Sequence, residues 1–252
     1  MLFDSHAHYD DERFDEDREA LIKSLPANGV SYVLNAGCDL ESSYKSADLA
    51  KAYDFFYASA GVHPHSAKDW SPHAQSEIAA LTERKKVVAI GEIGLDYYYD
   101  NSPREAQKAC FADQLELARA LDLPVIIHSR DATQDTMALL HAHPVKAGVL
   151  HCFSGSVETA KQALQLGYYI SFAGPVTFKN AKNLLEVAAY VPADRYLIET
   201  DAPYLAPEPY RGKRNCSIYV KQVAQKLAGL RGLDLETVAA QTQKNAKTLF
   251  GI

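Results

Sequence analysis

The chain has 252 residues, 47% hydrophobic and 23% charged, with a formal net charge of -6, a balance that excludes a disordered, fibrous or low-complexity protein. No apolar run approaches the roughly 20 residues needed to cross a bilayer, and no basic stretch followed by an apolar one marks a leader near Met1, so one soluble, cytoplasmic domain over residues 1–252 is expected. The acidic balance excludes a coat protein that grips nucleic acid with its whole surface, since any polyanion must be held by a local basic patch.

Eight short runs rich in Val, Ile, Leu and aromatic residues read as strands: 2–6, 31–36, 55–60, 87–92, 124–128, 148–151, 168–172 and 196–201. Between them lie stretches with apolar residues three and four apart, including 104–121, which opens behind the start signal Ser102-Pro103, and 157–166. Helical patterns over about 217–230 and 235–250 complete the chain. Alternating strands and helices imply a parallel sheet with crossover helices, and eight such units suit a closed (β/α)8 TIM barrel. An open doubly wound sheet is the competing α/β arrangement. Four cysteines, Cys38, Cys110, Cys152 and Cys216, form no C-x-x-C pair, which argues against a zinc ribbon and for reduced thiols.

Six of the eight strands run into a metal-binding residue type: His6 and His8, His63 and His65, Glu92, His128, His151 and Asp201. In a barrel those strand ends meet on one face, where barrel enzymes keep their chemistry. Residues two apart on a strand point the same way, so His6 and His8 can share an ion, and Asp4, on the same side, is expected to orient one of their ring nitrogens. A lone histidine is more often a hydrogen-bonded core residue; the convergence of several carries the argument. His141 and His143 repeat the H-x-H spacing in a helical stretch, where residues two apart do not face each other, so they read as surface residues, as does His73. Four histidines and two carboxylates exceed the needs of one tetrahedral ion with an open position, which points to two divalent ions bridged by Glu92. Imidazole suits Zn, Mn, Fe or Ni, whereas Mg prefers oxygen and keeps much of its water, so Mg, Mn and Zn all stay open.

Asp201 is expected to bind an ion and serve as general base toward a metal-activated water; a turn or helix-cap role before Pro203 is the alternative. His63 is assigned to a phosphate oxygen, and His65 either to the same task or to turn packing around Pro64. Arg211, Lys213 and Arg214 of "YRGKRN" form the sharpest basic cluster and are read as phosphate ligands because they follow the last strand. Tyr97, Tyr98 and Tyr99, with Phe153, Phe178, Tyr204 and Tyr210, supply aromatic rings on that face. Most are expected to pack loops, with Tyr97 taken as a substrate contact. Cys152 is expected to point away from His151 into the barrel–helix layer, Asp131 to support a ligand or cap a helix, and Glu199 to support the centre.

The segments "DSHAHYD", "GVHPH", "GEIGLDYYYD", "HSRDA", "HCFSG", "ISFAGPVTFKNA", "ETDAPYL", "RGKRN" and "NAKTLFGI" resemble, in order and spacing, the TatD family of metal-dependent deoxyribonucleases within the amidohydrolase-like barrels. The resemblance runs from end to end. It implies one or two divalent cations held by His6, His8, Glu92, His128, His151 and Asp201, and hydrolysis of DNA phosphodiesters from a 3′ end. One departure is visible: after "RGKRN" the family usually continues Glu-Pro, whereas this chain has Cys216-Ser217. DNA ends or single strands are thus the expected partner, with no membrane and no obligate protein partner. Two other functions compete. One is an amidohydrolase-like enzyme acting on an amide, ester or lactone, although Glu92 stands where many such barrels carry a modified lysine. The other is a metal-binding scaffold without turnover, against which six converging polar side chains weigh.

Overall fold

Strand and helix alternate through residues 1–252, all described by the computed structural model. β1 (Leu2–Ala7) leads to α1 (Arg18–Ser24), β2 (Val30–Ala36) to α2 (Leu40–Ala52), β3 (Phe56–Ala60) to α3 (Pro72–Thr82), and β4 (Val87–Asp96) to α4 (Arg104–Leu121). β5 (Val125–Arg130) leads to α5 (Thr133–Ala142), β6 (Gly148–Leu150) to α6 (Val157–Gln165), β7 (Tyr169–Phe172) to α7 (Lys182–Tyr190), and β8 (Tyr196–Ile198) to α8 (Val220–Arg231) and α9 (Leu235–Phe250). Each strand pairs in parallel with the next in the order β1 to β8. The ring closes where Ala7 bridges Ala202 and the His8 N–H donates to the Ala202 carbonyl at 2.7 Å. This is the expected (β/α)8 barrel; a doubly wound sheet would leave both outer strands unpaired.

Outward strand residues such as Val33, Ile93, Ile127 and Ile170 pack against Phe111, Leu115, Val187 and Val223 of the helices. Inward residues Leu34, Val88, Ile126, Val149, Tyr169 and Leu197 fill the cylinder, and Phe3 with Leu249 and Phe250 of α9 close its lower end. That plug leaves the carboxyl ends of the strands as the open face, and an alanine at Phe250 would cost about 3–5 kcal/mol.

Several boundaries differ from the sequence reading. β4 continues to Asp96, with a register irregularity between Ile90 and Ile93. Its extension relies on Gly94, at φ +142°, where a Cβ would lie 2.0 Å from the His128 carbonyl oxygen. β6 and β8 stop at Leu150 and Ile198, so His151 and Asp201 stand in the turns just beyond. Ser102 does not cap α4; its hydroxyl donates to the His65 carbonyl at 2.9 Å and accepts from the Lys68 N–H, joining the loop after β3 to the start of α4. No helix is long and apolar enough to cross a membrane.

Candidate metal centre

At the open face, the carboxylate of Glu92 has a different set of donors on each oxygen. Oε2 lies 3.2 Å from His6 Nε2 and 3.6 Å from His8 Nε2, and Asp201 Oδ1 stands 3.8 and 3.4 Å from the same two nitrogens. Oε1 lies 2.9 Å from His128 Nδ1, 2.8 Å from His151 Nε2 and 3.4 Å from His63 Nε2. Bonds of about 2.05 Å around a tetrahedral ion place neighbouring ligand atoms about 3.3 Å apart, so both sets have the spacing of ligands around a cation.

The tautomers agree with this. His8 Nδ1 faces the Ala36 carbonyl at 3.1 Å, His128 Nε2 faces Asp96 Oδ2 at 3.1 Å, and His151 Nδ1 faces Glu199 Oε1 at 3.3 Å. Each outer partner only accepts, so each outer nitrogen carries the hydrogen and a neutral ring turns its lone pair toward Glu92. Lone pairs of His6 and His8 Nε2 at 3.1 Å, and of His128 Nδ1 and His151 Nε2 at 3.3 Å, oppose each other unless a cation or proton lies between. The donor set therefore fits divalent ions.

In the absence of a cation, protons take that place. Burial alone would lower His8, but Cys38, Asp201 and Glu92 outweigh it and hold the ring well above the ordinary imidazole value. The same opposition raises His151 through Glu92 and Glu199, and His128 through Asp96 and Glu92. Burial would raise Glu92, yet the charges of His151, His63 and His6 hold it well below the usual carboxylate range. Asp201 is likewise held down, against its burial, by His8, His151 and His6. His6 is lowered by burial and by the charge of His151, and burial brings His63 down to about 4. His63 is thus neutral near pH 7. Its Nδ1 accepts the His65 N–H at 3.1 Å, leaving an Nε2–H directed toward Glu92 Oε1.

The structure gathers His6, His8, Glu92, His128, His151, Asp201 and His63, and it moves several other residues elsewhere. Asp4 does not orient a histidine ring. The register of β1 shifts between Asp4 and Ala7, which turns His6 inward and Asp4 outward. There Asp4 accepts from Thr200 N at 2.8 Å, Thr200 Oγ1 at 2.6 Å and Ser217 Oγ at 2.6 Å. Tyr97 is not at the centre: β4 runs on to Asp96, so Tyr97 faces outward, where its hydroxyl donates to Asp135 at 2.7 Å and Arg104 covers its ring. Tyr98 and Tyr99 are the exposed pair. Arg214 is not a free phosphate ligand either. It forms two bonds to Asp17, at 2.8 and 2.6 Å, and donates to the Arg13 carbonyl. Arg211 and Lys213 stay exposed. Phe153 packs into the main core.

Cys152 does not follow strand alternation, because β6 ends before it and its φ is +41°. Burial and the charges of Asp201 and Glu199 push its thiol well up, which keeps it inert. Asp131 neither caps α5, whose cap is Ala132 without a side-chain bond, nor approaches a ligand ring. Glu199 does hold His151, and it also accepts the Cys152 N–H at 2.6 Å. His65 bonds Asp96 Oδ2 at 3.1 Å, one shell out from Glu92. His73 and His141 are exposed, but His143 pairs with Glu116 at 2.8 Å.

Asp96 and Cys38 escaped the sequence reading. Asp96 lies four residues beyond Glu92 on one strand and so on the same side, a signal present in "GEIGLD" once the strand is extended. Cys38 Sγ, 3.6 Å from Glu92 Oε2 and 3.7 Å from His8 Nδ1, follows β2 in a turn that no spacing rule marks.

A parallel eight-stranded barrel with this His–carboxylate cluster at its carboxyl rim defines a metal-dependent hydrolase. The family model of the TatD-related DNases matches residues 3–251, and the chain belongs to that family. It is 45% identical over 254 residues to the uncharacterised metal-dependent hydrolase YabD of Bacillus subtilis, covering all of both chains. It is 35% identical over 258 residues, all of this chain and 99% of the other, to the 3′-5′ ssDNA/RNA exonuclease TatD of Salmonella typhimurium. Among solved structures it superposes on the TatD homologue YjjV of Escherichia coli with a TM-score of 0.93 and 33% identity, over 100% of this chain and 98% of that one.

Proposed function

We propose that the protein is a metal-dependent deoxyribonuclease that removes nucleotides from the 3′ end of single-stranded DNA, using two divalent ions bridged by Glu92. One observation supports this above the rest: each oxygen of Glu92 faces its own histidine set, at 3.2 and 3.6 Å on one side and at 2.9 and 2.8 Å on the other. Two ions bound there would polarise a phosphoryl oxygen, lower the pKa of a water and neutralise charge on the attacking and leaving oxygens.

The chain's own groups divide the remaining tasks. Asp201, at the His6–His8 side, accepts the proton of the attacking water. His63, neutral and with its Nε2–H aimed inward, donates to a phosphate oxygen as charge builds there. Asp96, Glu199 and the Ala36 carbonyl fix three imidazoles in the tautomer that binds an ion. The exonuclease named among the relatives acts on single-stranded DNA and RNA in the 3′-5′ direction, which is why the 3′ end is assigned here.

The test is digestion of an end-labelled single-stranded oligodeoxynucleotide by chelated protein to which Mg, Mn or Zn is returned singly. A ladder that shortens from the 3′ end, only after a metal is returned, is the expected result. No digestion with any metal, alongside turnover of an amide or lactone, would replace the nuclease reading with that of another hydrolase on the same barrel.

A further inference from the structure

Ten arginines are present in the chain, and eight of them hydrogen-bond to protein oxygen. Arg13, Arg18, Arg84, Arg104, Arg119, Arg195 and Arg214 pair with carboxylates, while Arg231 donates to two carbonyls. The two left over, Arg130 and Arg211, have no such oxygen, and both stand at the open face of the barrel. Each guanidinium instead lies over aromatic rings: Arg130 at 4.0 Å from the Tyr98 centroid and 4.8 Å from that of Tyr99, and Arg211 at 4.0 Å from Phe178. A ring holds a guanidinium by its face and leaves the N–H edge unused.

Arg130 is placed by β5, the strand that carries His128. It lies two residues beyond His128 on β5, hence on the same side and about 6.6 Å further out along the strand. Across the register its partner is Asp96, the carboxylate that would ordinarily neutralise it. That carboxylate is already committed to His128, His65 and the N–H groups of Tyr98 and Tyr99. The turn that follows β4 therefore engages that acid and stacks its two tyrosines under Arg130. Arg211 follows β8, three strands further round the eight-stranded ring, so the two free guanidiniums flank the centre from different sides.

We propose that Arg130 binds a phosphate of the nucleic-acid substrate next to the one being cleaved, with Arg211 serving a phosphate on the other side of the centre. The assignment rests on the nuclease reading above and extends it to substrates with more than one phosphate. Arg130 grips by a two-pronged contact, and the tyrosine platform holds the fork in place before the strand arrives.

The experiment compares the parent protein with Arg130→Ala and Arg130→Lys, and with Arg119→Ala as a charge control on the far surface. Two substrates are used: a short single-stranded oligodeoxynucleotide and bis(p-nitrophenyl) phosphate, which has one phosphate only. Arg130→Ala is expected to raise KM for the oligonucleotide about tenfold, one charge-assisted contact in size, while turnover of the chromogenic diester stays within about twofold. In fluorescence anisotropy across a salt series, the slope of log K against log salt should fall by about 0.7 for a single strand. Arg130→Lys should keep most of that slope, because the charge remains, and lose part of the affinity with the fork. An Arg130→Ala protein with the parent's slope and KM overturns the proposal. So does an equal loss on both substrates, which signals damage to the centre. A parent that cleaves the chromogenic diester but neither binds nor cuts the oligonucleotide overturns the nuclease reading and this proposal together.

Discussion

His128 stands between Glu92 and Asp96, two carboxylates of one strand: its Nδ1 lies 2.9 Å from Glu92 Oε1 and its Nε2 3.1 Å from Asp96 Oδ2. The inner contact belongs to the centre and the outer one sets which nitrogen is free. Asp96 is held well below the usual carboxylate range, because hydrogen bonds from His128, Tyr99 and His65 outweigh its burial, so it is a permanent acceptor. Asp96→Asn presents an amide that can turn an N–H toward the ring and favour the wrong tautomer. Metal affinity should fall by about 10–100-fold, read by titration of the chelated protein, and the metal-free form should melt lower near neutral pH, because the amide lacks the charge that His128 and His65 stabilise. Unaltered affinity would mean that the outer contact does not set the ring.

Glu92 is the one side chain shared by both donor sets. Glu92→Gln keeps the shape but offers a single weak acceptor oxygen in place of two charged ones, so the two ions proposed for this centre could not be held at once. Metal content should fall to at most one ion per chain, and turnover should drop by on the order of 10³, the equivalent of several kcal/mol of transition-state stabilisation. Elemental analysis of the purified protein, paired with the rate on a chromogenic diester, checks both statements.

The gathering of histidines and carboxylates at one rim was legible because two simple regularities coincide there: alternation along a strand, and the convergence of all carboxyl ends in a closed ring. Failures occurred where a residue's direction depends on something non-local. A register shift inside β1 turned Asp4 outward, four additional residues of β4 moved Tyr97 to the helix side, and Arg214 found Asp17 from 197 positions away. Nothing in "RGKRN" distinguishes its paired arginine from its free one. Only the packed fold does.

The metal-free centre should show a characteristic pH dependence. His8, His128 and His151 all titrate above their ordinary 6.5. A raised folded value contributes stability that is fully present below the unfolded value and is lost as pH rises through the folded one. Glu92 and Asp201 are lowered instead, so their contribution disappears only in acid and stays constant above neutrality. Chelated protein should therefore lose stability above about pH 6.5, while metal binding, which needs deprotonated rings, strengthens over the same range. The gap in melting temperature between metal-saturated and chelated protein should widen from about pH 6 to pH 8. Calorimetry at a series of pH values decides it, and a constant or narrowing gap would contradict the assignment of these rings as ligands.

Ser217 ties down β1 and the turn just beyond it through two donors. Ser217 N–H donates to the Tyr9 hydroxyl at 2.9 Å and Ser217 Oγ donates to Asp4 at 2.6 Å. Burial raises Asp4 from 3.8 to about 7, against the bonds from Ser217 and Thr200 that lower it. Its stabilising contribution is thus complete below about pH 4 and is lost as pH rises toward 7, where the carboxylate ionises in place. Ser217→Ala removes an ordinary hydrogen bond from the protonated acid at pH 5, but a charge-assisted one from the carboxylate at pH 8. The variant should consequently be less stable by about 1 kcal/mol at the lower pH and about 2 kcal/mol at the higher, measured by urea denaturation with metal saturating. An effect of equal size at both pH values would show that Asp4 does not ionise across that interval, and a larger effect in acid would reverse the sign of the linkage.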